Sequence, residues 1–271
     1  MIAAATARTY PLTIEIGGTA ITLRTESPQF HRSLRERYSG FVSEGAALEH
    51  ELEIDLVESG TAVDLDRDLE VNVEGKQWSM QRGDFFARWN AGTGRGSVRQ
   101  PSSPYAIDSV LRIIHSLLLA DCGGFLLHAA SAIRNGNAFL FAGVSGAGKT
   151  TIARLAPTDT LLLTDEISYV IQKNRKYFAC GTPFAGELGK LGENVSAPIK
   201  AVFLLDKGAH NAIEEVGQNE AVRSMLRNIL FFAQDEQLVS RVFESACQFV
   251  NQVPVRCLTF FPDEKVWNII D

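Results

Sequence analysis

One short run of residues, Gly143 to Thr150 with the sequence GVSGAGKT, constrains the fold of this chain more than any other feature. It matches the pattern GxxxxGK[ST], in which glycines let successive backbone N–H groups turn toward one centre. The residues before it, Phe139 to Ala142, are apolar, and those after it have helical spacing. The run therefore predicts a strand, a phosphate-binding loop of the Walker A type, and a helix from Lys149 to Ala156.

The loop residues have predicted roles in holding a nucleoside triphosphate. We expect the Lys149 ammonium to reach the β and γ phosphates, and the Thr150 hydroxyl to ligate Mg²⁺. The positive N-terminus of the following helix would face the phosphates. The predicted cofactors are therefore ATP and Mg²⁺. The residues predicted to bind them are Gly143, Ser145, Gly146, Ala147, Gly148, Lys149, Thr150 and Thr151.

A tight hairpin is predicted just before the loop. Phe125 to Ile133 and Ala138 to Ala142 have strand patterns, and Asn135-Gly136 between them suits a two-residue turn. Antiparallel pairing places His128, on the first strand, beside the end of the second strand, where the loop begins. His128 is predicted to touch the γ phosphate or the incoming hydroxyl; a satisfied core histidine is the alternative.

Asp165 and Glu166 follow a further apolar strand pattern, Thr160 to Thr164. A carboxylate at a strand end near a phosphate loop can hold Mg²⁺ or accept the proton of an attacking hydroxyl. Asp165 is predicted as base or metal ligand, and Glu166 as a second catalytic carboxylate. The start of an ordinary loop is the alternative interpretation of this pair.

The rest of the chain predicts two domains. Residues 1–103 are mostly strand patterns, with a short helix opened by Ser27-Pro28 and a turn-like stretch from Gly92 to Arg99. A linker with two prolines, Pro101 to Pro104, precedes the second domain, residues 104–271. We expect the N-terminal domain to be β-rich and to bind an acceptor, and Trp267 to Ile270 to form a last strand.

Composition excludes several functions. The chain has 271 residues and a net charge of −6, with no cluster of Lys and Arg, so we expect no nucleic-acid partner. Its four cysteines lack metal-ligand spacing. The most apolar stretch, Val110 to Ile133, is interrupted by charged residues, and residues 1–8 lack the pattern of a secretory signal. A cytoplasmic protein without a membrane partner is predicted.

His128, the strand-turn-strand, the phosphate loop and the pair Asp165-Glu166 together resemble the core of bacterial HPr kinase/phosphorylase and, more distantly, ATP-type phosphoenolpyruvate carboxykinase. The resemblance covers Phe125 to Val170. It implies an α/β fold, in which a P-loop core of this kind with a mixed sheet follows a small β-rich N-terminal domain. It also implies a kinase whose base or metal ligand is Asp165, and a homo-oligomer, because family members often form hexamers.

This sequence departs from the family's signature segment and its HPr-docking features. It looks more like the divergent HPr-kinase-like proteins encoded with ribosomally made peptides, including lasso peptides. Some of these phosphorylate a serine of a precursor peptide. The resemblance therefore implies transfer of the γ-phosphoryl group of ATP to a Ser or Thr hydroxyl of a peptide or small protein.

A glycine-rich loop, Gly181 to Asn194, is predicted to close over the acceptor, with Glu187 and Lys190 as contact residues. An ordinary surface loop is the alternative. Two other functions stay open: a small-molecule kinase on the same fold, and a nucleotide-sensing binding module with little turnover. An ordinary P-loop ATPase or GTPase is disfavoured, because such folds have a parallel sheet rather than an antiparallel hairpin before the loop.

Overall fold

The computed structural model describes residues 8–45, 49–57, 68–184, 186–189 and 192–270. Contacts divide the chain into two compact units, Met1–Ile114 with Phe232–Asp235, and His115–Phe231 with Glu236–Asp271. The division between the two units falls after Ile114, inside the helix Pro104–Asp121. The domain boundary expected after residue 103 stays a prediction. Each unit has its own mixed sheet, so the mixed α/β class and the β-rich N-terminal region are confirmed.

The first unit holds a sheet of seven strands among the described residues, in the order β1-β2-β3-β7-β6-β5-β4. Strands β2, β3 and β7 are parallel to one another and the remaining neighbours are antiparallel. Its elements are β1 (Tyr10–Ile16), β2 (Thr19–Thr25), α1 (Pro28–Arg37), a 3-10 helix (Ser39–Phe41), β3 (His50–Leu56), β4 (Glu70–Glu74), β5 (Gln77–Arg82), β6 (Phe85–Asn90) and β7 (Arg95–Gln100).

Two expectations for this unit have opposite outcomes. The predicted start of α1 is confirmed, since the Ser27 hydroxyl accepts a hydrogen bond from the Phe30 N–H at 3.2 Å. The turn-like prediction for Gly92 to Arg99 was wrong in its second half, where β7 begins. Val98 and Gln100 on this strand are buried, and pairing with two neighbours outweighs the low strand propensity of its glycine.

The elements from residue 104 onward are α2 (Pro104–Asp121), β8 (Phe125–Arg134), β9 (Asn137–Ala142), α3 (Lys149–Arg154), β10 (Leu161–Thr164), β11 (Ile167–Lys173), β12 (Lys176–Cys180), β13 (Ser196–Lys207), β14 (Ala212–Glu215), α4 (Gln218–Asn228), β15 (Ile229–Leu230), α5 (Glu236–Val250), β16 (Val255–Phe260) and a second 3-10 helix (Glu264–Asn268). No helix in the described part of the chain is long and apolar enough to cross a membrane.

The predicted hairpin is confirmed and lies at the centre of the second sheet. Asn135 and Gly136 have φ angles of 52° and 75°, as the tight turn requires, and β8 and β9 are antiparallel. On its other edge β8 pairs with β10 and then β11, both antiparallel. Strand β9 is parallel to β13, which is parallel to β16, so this sheet is mixed.

Side chains along the hairpin alternate between two cores, one on each face of the sheet. Leu127 and Leu140 belong to a core that includes Met225 of α4 and Phe249 of α5. Side chains at the alternate positions of the two strands pack on the opposite face with Ile152 of α3 and Trp267 of the second 3-10 helix; these are Ala130, Ala132, Phe139 and Phe141. The strand period of two thus assigns helices to both faces of the sheet.

Two predictions near the C-terminus were wrong. The last strand expected at Trp267 to Ile270 is instead the second 3-10 helix, capped by Asp263, whose carboxylate accepts the Lys265 N–H. It forms because burying the Trp267 ring against Phe141 outweighs strand pairing here. The residue pattern of Glu220 to Phe232 predicts one helix, but α4 ends at Asn228, where the chain pairs with β8 as β15.

Cys180, at the end of β12, should be chemically inert in the folded protein. Burial raises the pKa of its thiol to about 12, whereas Cys122 is exposed. Because the thiolate is the reactive form, iodoacetamide at about pH 8 should label Cys122 and leave Cys180 unmodified until urea unfolds the chain. Peptide mass spectrometry measures both sites, and rapid labelling of Cys180 without urea would contradict its burial.

Candidate functional site

The loop from Gly143 to Gly148 joins β9 directly to α3, in the order that the motif predicts. Gly148 adopts a left-handed conformation, with φ of 110°, immediately before the helix. A Cβ atom on Gly148 would lie 2.5 Å from the Phe260 ring, so backbone strain and packing both exclude a larger residue. Gly148, the last residue of the loop, therefore packs closely against Phe260 at the end of β16.

Lys149 is buried at the first position of α3, and its ammonium folds back over the loop. Its Nζ donates to the carbonyl oxygens of Gly143 at 2.7 Å and of Val144 at 3.2 Å. Burial lowers the pKa of Lys149, and the negative charges of Glu166 and Glu187 oppose this shift. The Lys149 ammonium thus lies beside the first two residues of the loop, and the negative charges of two carboxylates act on it.

The other predicted nucleotide-binding residues surround this lysine along the chain. Ser145 and Gly146 are exposed, and Ala147 is buried, with its N–H donated to the Val144 carbonyl. Thr150 and Thr151 are half-buried on the first turn of α3. The Thr150 hydroxyl is therefore adjacent in sequence to the lysine, on the element that leaves the loop.

Strand β8 brings the acidic pair level with the start of the loop. On one edge Ala129 pairs with Ala142, the last residue before the loop. On the other edge the chain pairs with β8 up to Thr164, opposite Ser131, and again from Ile167, opposite His128, so Asp165 and Glu166 lie between these two pairs. Two strand spacings separate the pair from the loop, about 10 Å.

His128 pairs with Ile167, next to that gap, and is half-buried. Alternation along β8 places it on the same face of the sheet as Ala130, the face that α3 covers. One residue beyond the pair Ala129 and Ala142, His128 is level with Gly143. His128 therefore lies on β8, with the start of the loop next to one edge of this strand and the acidic pair next to the other edge.

The Asp165 carboxylate is buried, and each of its two oxygens accepts a backbone N–H group. One oxygen accepts the Gly186 N–H at 2.9 Å and the other accepts the Leu188 N–H at 2.8 Å. Sequence reasoning missed this contact, because no motif links an aspartate to amides of a distant loop. Glu187, between the two donors, is exposed. Lys190 lies outside the described residues.

Within the described residues, no group of three or more His, Cys, Asp or Glu side chains is arranged to hold a metal ion. Mg²⁺ commonly takes one or two carboxylates and completes its shell with phosphate oxygens and water. Thr150 and the pair Asp165-Glu166 carry oxygen donors of this kind, and a magnesium site formed by them would need phosphate oxygens and water to complete it.

Trp267 is a supporting residue that sequence reasoning also missed. Its indole Nε1 donates to the Ile152 carbonyl of α3 at 3.1 Å, and its ring packs edge-on against Phe141 of β9. The Trp267 carbonyl in turn accepts from the Arg134 guanidinium at 2.6 Å. The second 3-10 helix therefore contacts both elements that flank the loop from Gly143 to Gly148.

Comparison with known proteins gives limited results. No curated protein matches the chain. Among solved structures, the Hpr(Ser) kinase/phosphatase from Coxiella burnetii is similar over 45% of this chain and 87% of its own, at 12% identity and a TM-score of 0.26. A similarity this low carries no argument. The family model described as SynChlorMet cassette protein ScmC matches residues 104–271, more than half of the chain including the loop and the acidic pair, and the chain belongs to that family.

Proposed function

We propose that this protein is an ATP- and Mg²⁺-dependent kinase that transfers the γ-phosphoryl group to a Ser or Thr hydroxyl of a peptide or small protein. One observation carries the proposal. The buried ammonium of Lys149 lies over a glycine-rich turn between a strand and a helix, where the negative charges of Glu166 and Glu187 act on it. A cation held by a loop of this pattern, opposite carboxylates, suits a bound triphosphate and an acceptor hydroxyl.

The loop would bind and orient the triphosphate. Backbone N–H groups in such a loop form a concave anion site, and Lys149 adds a positive charge where the phosphate charge is greatest. Since Lys149 is already buried, phosphate oxygens replace the carbonyl acceptors of Gly143 and Val144 without exposing the ammonium to water. This preorganised cation stabilises the charge that spreads over the equatorial oxygens of the γ phosphate in the transition state.

The acidic pair would act on the acceptor. In the transfer the acceptor oxygen bonds to the γ phosphorus, the bond from that phosphorus to the bridging oxygen breaks, and ADP leaves. A carboxylate of the pair Asp165-Glu166 takes the hydroxyl proton. Magnesium bound near Thr150 and the acidic pair would neutralise phosphate charge. His128, level with the loop, would contact the acceptor or the transferred group.

Incubation with γ-labelled ATP and Mg²⁺ tests this proposal against a panel of Ser- and Thr-containing peptides. We expect a mass increase of one phosphoryl group on at least one peptide, and none on the matched peptide in which Ala or Val replaces the hydroxyl residue. A labelled small molecule without any labelled peptide would refute the peptide acceptor. Nucleotide binding without transfer to either class would refute the kinase and favour a nucleotide-sensing module.

A further inference from the structure

We infer that Asp165 is a positioning residue that holds the loop tip, residues 186–189, beside the phosphate site. The part of this inference that concerns catalysis rests on the proposed function. The contact itself does not, because it joins atoms that the fold already places together. It assigns the two neighbouring carboxylates, Asp165 and Glu166, to different tasks.

The carboxylate binds the loop tip at two points. Its oxygens accept the N–H groups of Gly186 and Leu188, at 2.9 and 2.8 Å, and the Gly189 N–H returns to the Gly186 carbonyl at 3.1 Å. Charge-assisted hydrogen bonds of this kind are stronger than neutral ones, and two of them fix orientation as well as distance. The tip is therefore a small turn closed around one buried carboxylate.

Packing leaves no space between the two partners. A Cβ atom built on Gly186 would lie 2.7 Å and 2.8 Å from the two oxygens of Asp165, and 2.9 Å from its Cγ. These distances are shorter than any ordinary contact of a Cβ atom. Glycine at position 186 is thus explained by the carboxylate against which it packs, and an alanine there must separate the tip from Asp165.

Thr182, near the start of the loop, forms hydrogen bonds to the chain on both sides of the acidic pair. Thr182 donates its N–H to the Leu163 carbonyl at 3.4 Å and its hydroxyl to the Ile167 carbonyl at 3.0 Å. These acceptors lie just before and just after Asp165 and Glu166 in the chain. The loop is therefore bound next to the acidic pair at two points. One is Thr182, near its start, and the other is its tip, which binds Asp165.

This arrangement determines where Glu187 lies. It stands between the two residues that donate to Asp165, and its charge acts on Lys149 although its own side chain is exposed. Glu166 also acts on Lys149, and it is half-buried. Asp165 thus works through the loop, which leaves Glu166 as the carboxylate of the pair for the hydroxyl proton or for Mg²⁺ in the proposed function.

Hydrogen exchange on the full chain, without nucleotide, tests the contact directly. Asp165→Asn removes one acceptor oxygen, and Gly186→Ala forces the partners apart. In both variants the amides of Gly186 and Leu188 should exchange at least about tenfold faster than in the wild type. Unchanged exchange at these two amides in both variants would overturn the inference.

A matched pair at position 188 leaves every carboxylate in place. Leu188→Pro removes the donated N–H, and Leu188→Ala keeps it. We expect the proline variant alone to lose protection at Gly186 and to lower the kcat of transfer about tenfold, with the Kd for Mg²⁺-ATP unchanged. Equal kcat values in the two variants would refute a positioning role.

Glu166→Gln separates the two tasks. It should leave exchange at the loop tip unchanged and lower kcat. If instead Asp165→Asn abolished transfer while the loop tip kept its protection, Asp165 would be the catalytic base and the inference would fail. Should the wild type bind no Mg²⁺-ATP at all, the proposed function fails, whereas the exchange measurements still decide whether Asp165 holds the loop.

Discussion

Replacing Lys149 by methionine should remove most of the activity while leaving the fold intact. Methionine matches the length of the lysine stem, and the site that it enters is buried, so the substitution deletes the charge with little change in packing. We expect the affinity for Mg²⁺-ATP to fall at least about tenfold and phosphoryl transfer to fall about 10²–10³-fold, as for other losses of a preorganised donor.

Calorimetric titration with Mg²⁺-ATP measures the first effect, and single-turnover transfer measures the second. Lys200→Met is the matched control, because this exposed lysine lies on β13 and has no role in the proposed site. It should bind and transfer like the wild type. Normal binding and transfer by Lys149→Met would remove the basis of the proposed function.

Trp267→Ala should cause a large loss of stability. The indole is fully buried between α3 and β9, so truncation leaves a cavity and also frees the Ile152 carbonyl. Large-to-small changes of this size cost about 3–5 kcal/mol. Urea unfolding followed by circular dichroism gives the free energy, and weaker Mg²⁺-ATP binding should accompany the loss.

Trp267→Phe divides this effect into its parts. Phenylalanine keeps most of the ring contact with Phe141 but donates no hydrogen bond to Ile152, so we expect a smaller cost of about 1–2 kcal/mol. Trp78→Phe, in the first unit, is the control and should leave nucleotide affinity unchanged. Full stability of Trp267→Ala would show that the C-terminal 3-10 helix does not brace the loop.

Local chemistry explains which elements could be predicted. The Asn135-Gly136 turn, the cap at Ser27 and the strand before the loop depend on residues within a few positions of each other, and all three were confirmed. The predictions that were wrong concern residues whose local structure depends on distant partners. Trp267 forms no strand because its indole is buried against Phe141, more than a hundred residues earlier in the chain.

The candidate site divides in the same way. Sequence spacing alone predicted the connection of β9, loop and α3, and hairpin geometry predicted that His128 would be level with Gly143. The two N–H partners of Asp165 could not be predicted, since they depend on how a loop about twenty residues later folds back. Catalytic roles for Asp165, Glu166, His128 and Glu187 stay predictions until the variants are measured.

The two cores, one on each face of the second sheet, restrict the positions at which this chain can gain a residue. One residue inserted into β9 would invert Phe139, Leu140 and Phe141, sending each side chain toward the wrong layer of helices. The same insertion would shift Gly148 away from Phe260. Descendants of this sequence should therefore tolerate insertions at the Asn135-Gly136 turn, whereas the five residues between that turn and Ala142 form a stretch whose length is fixed.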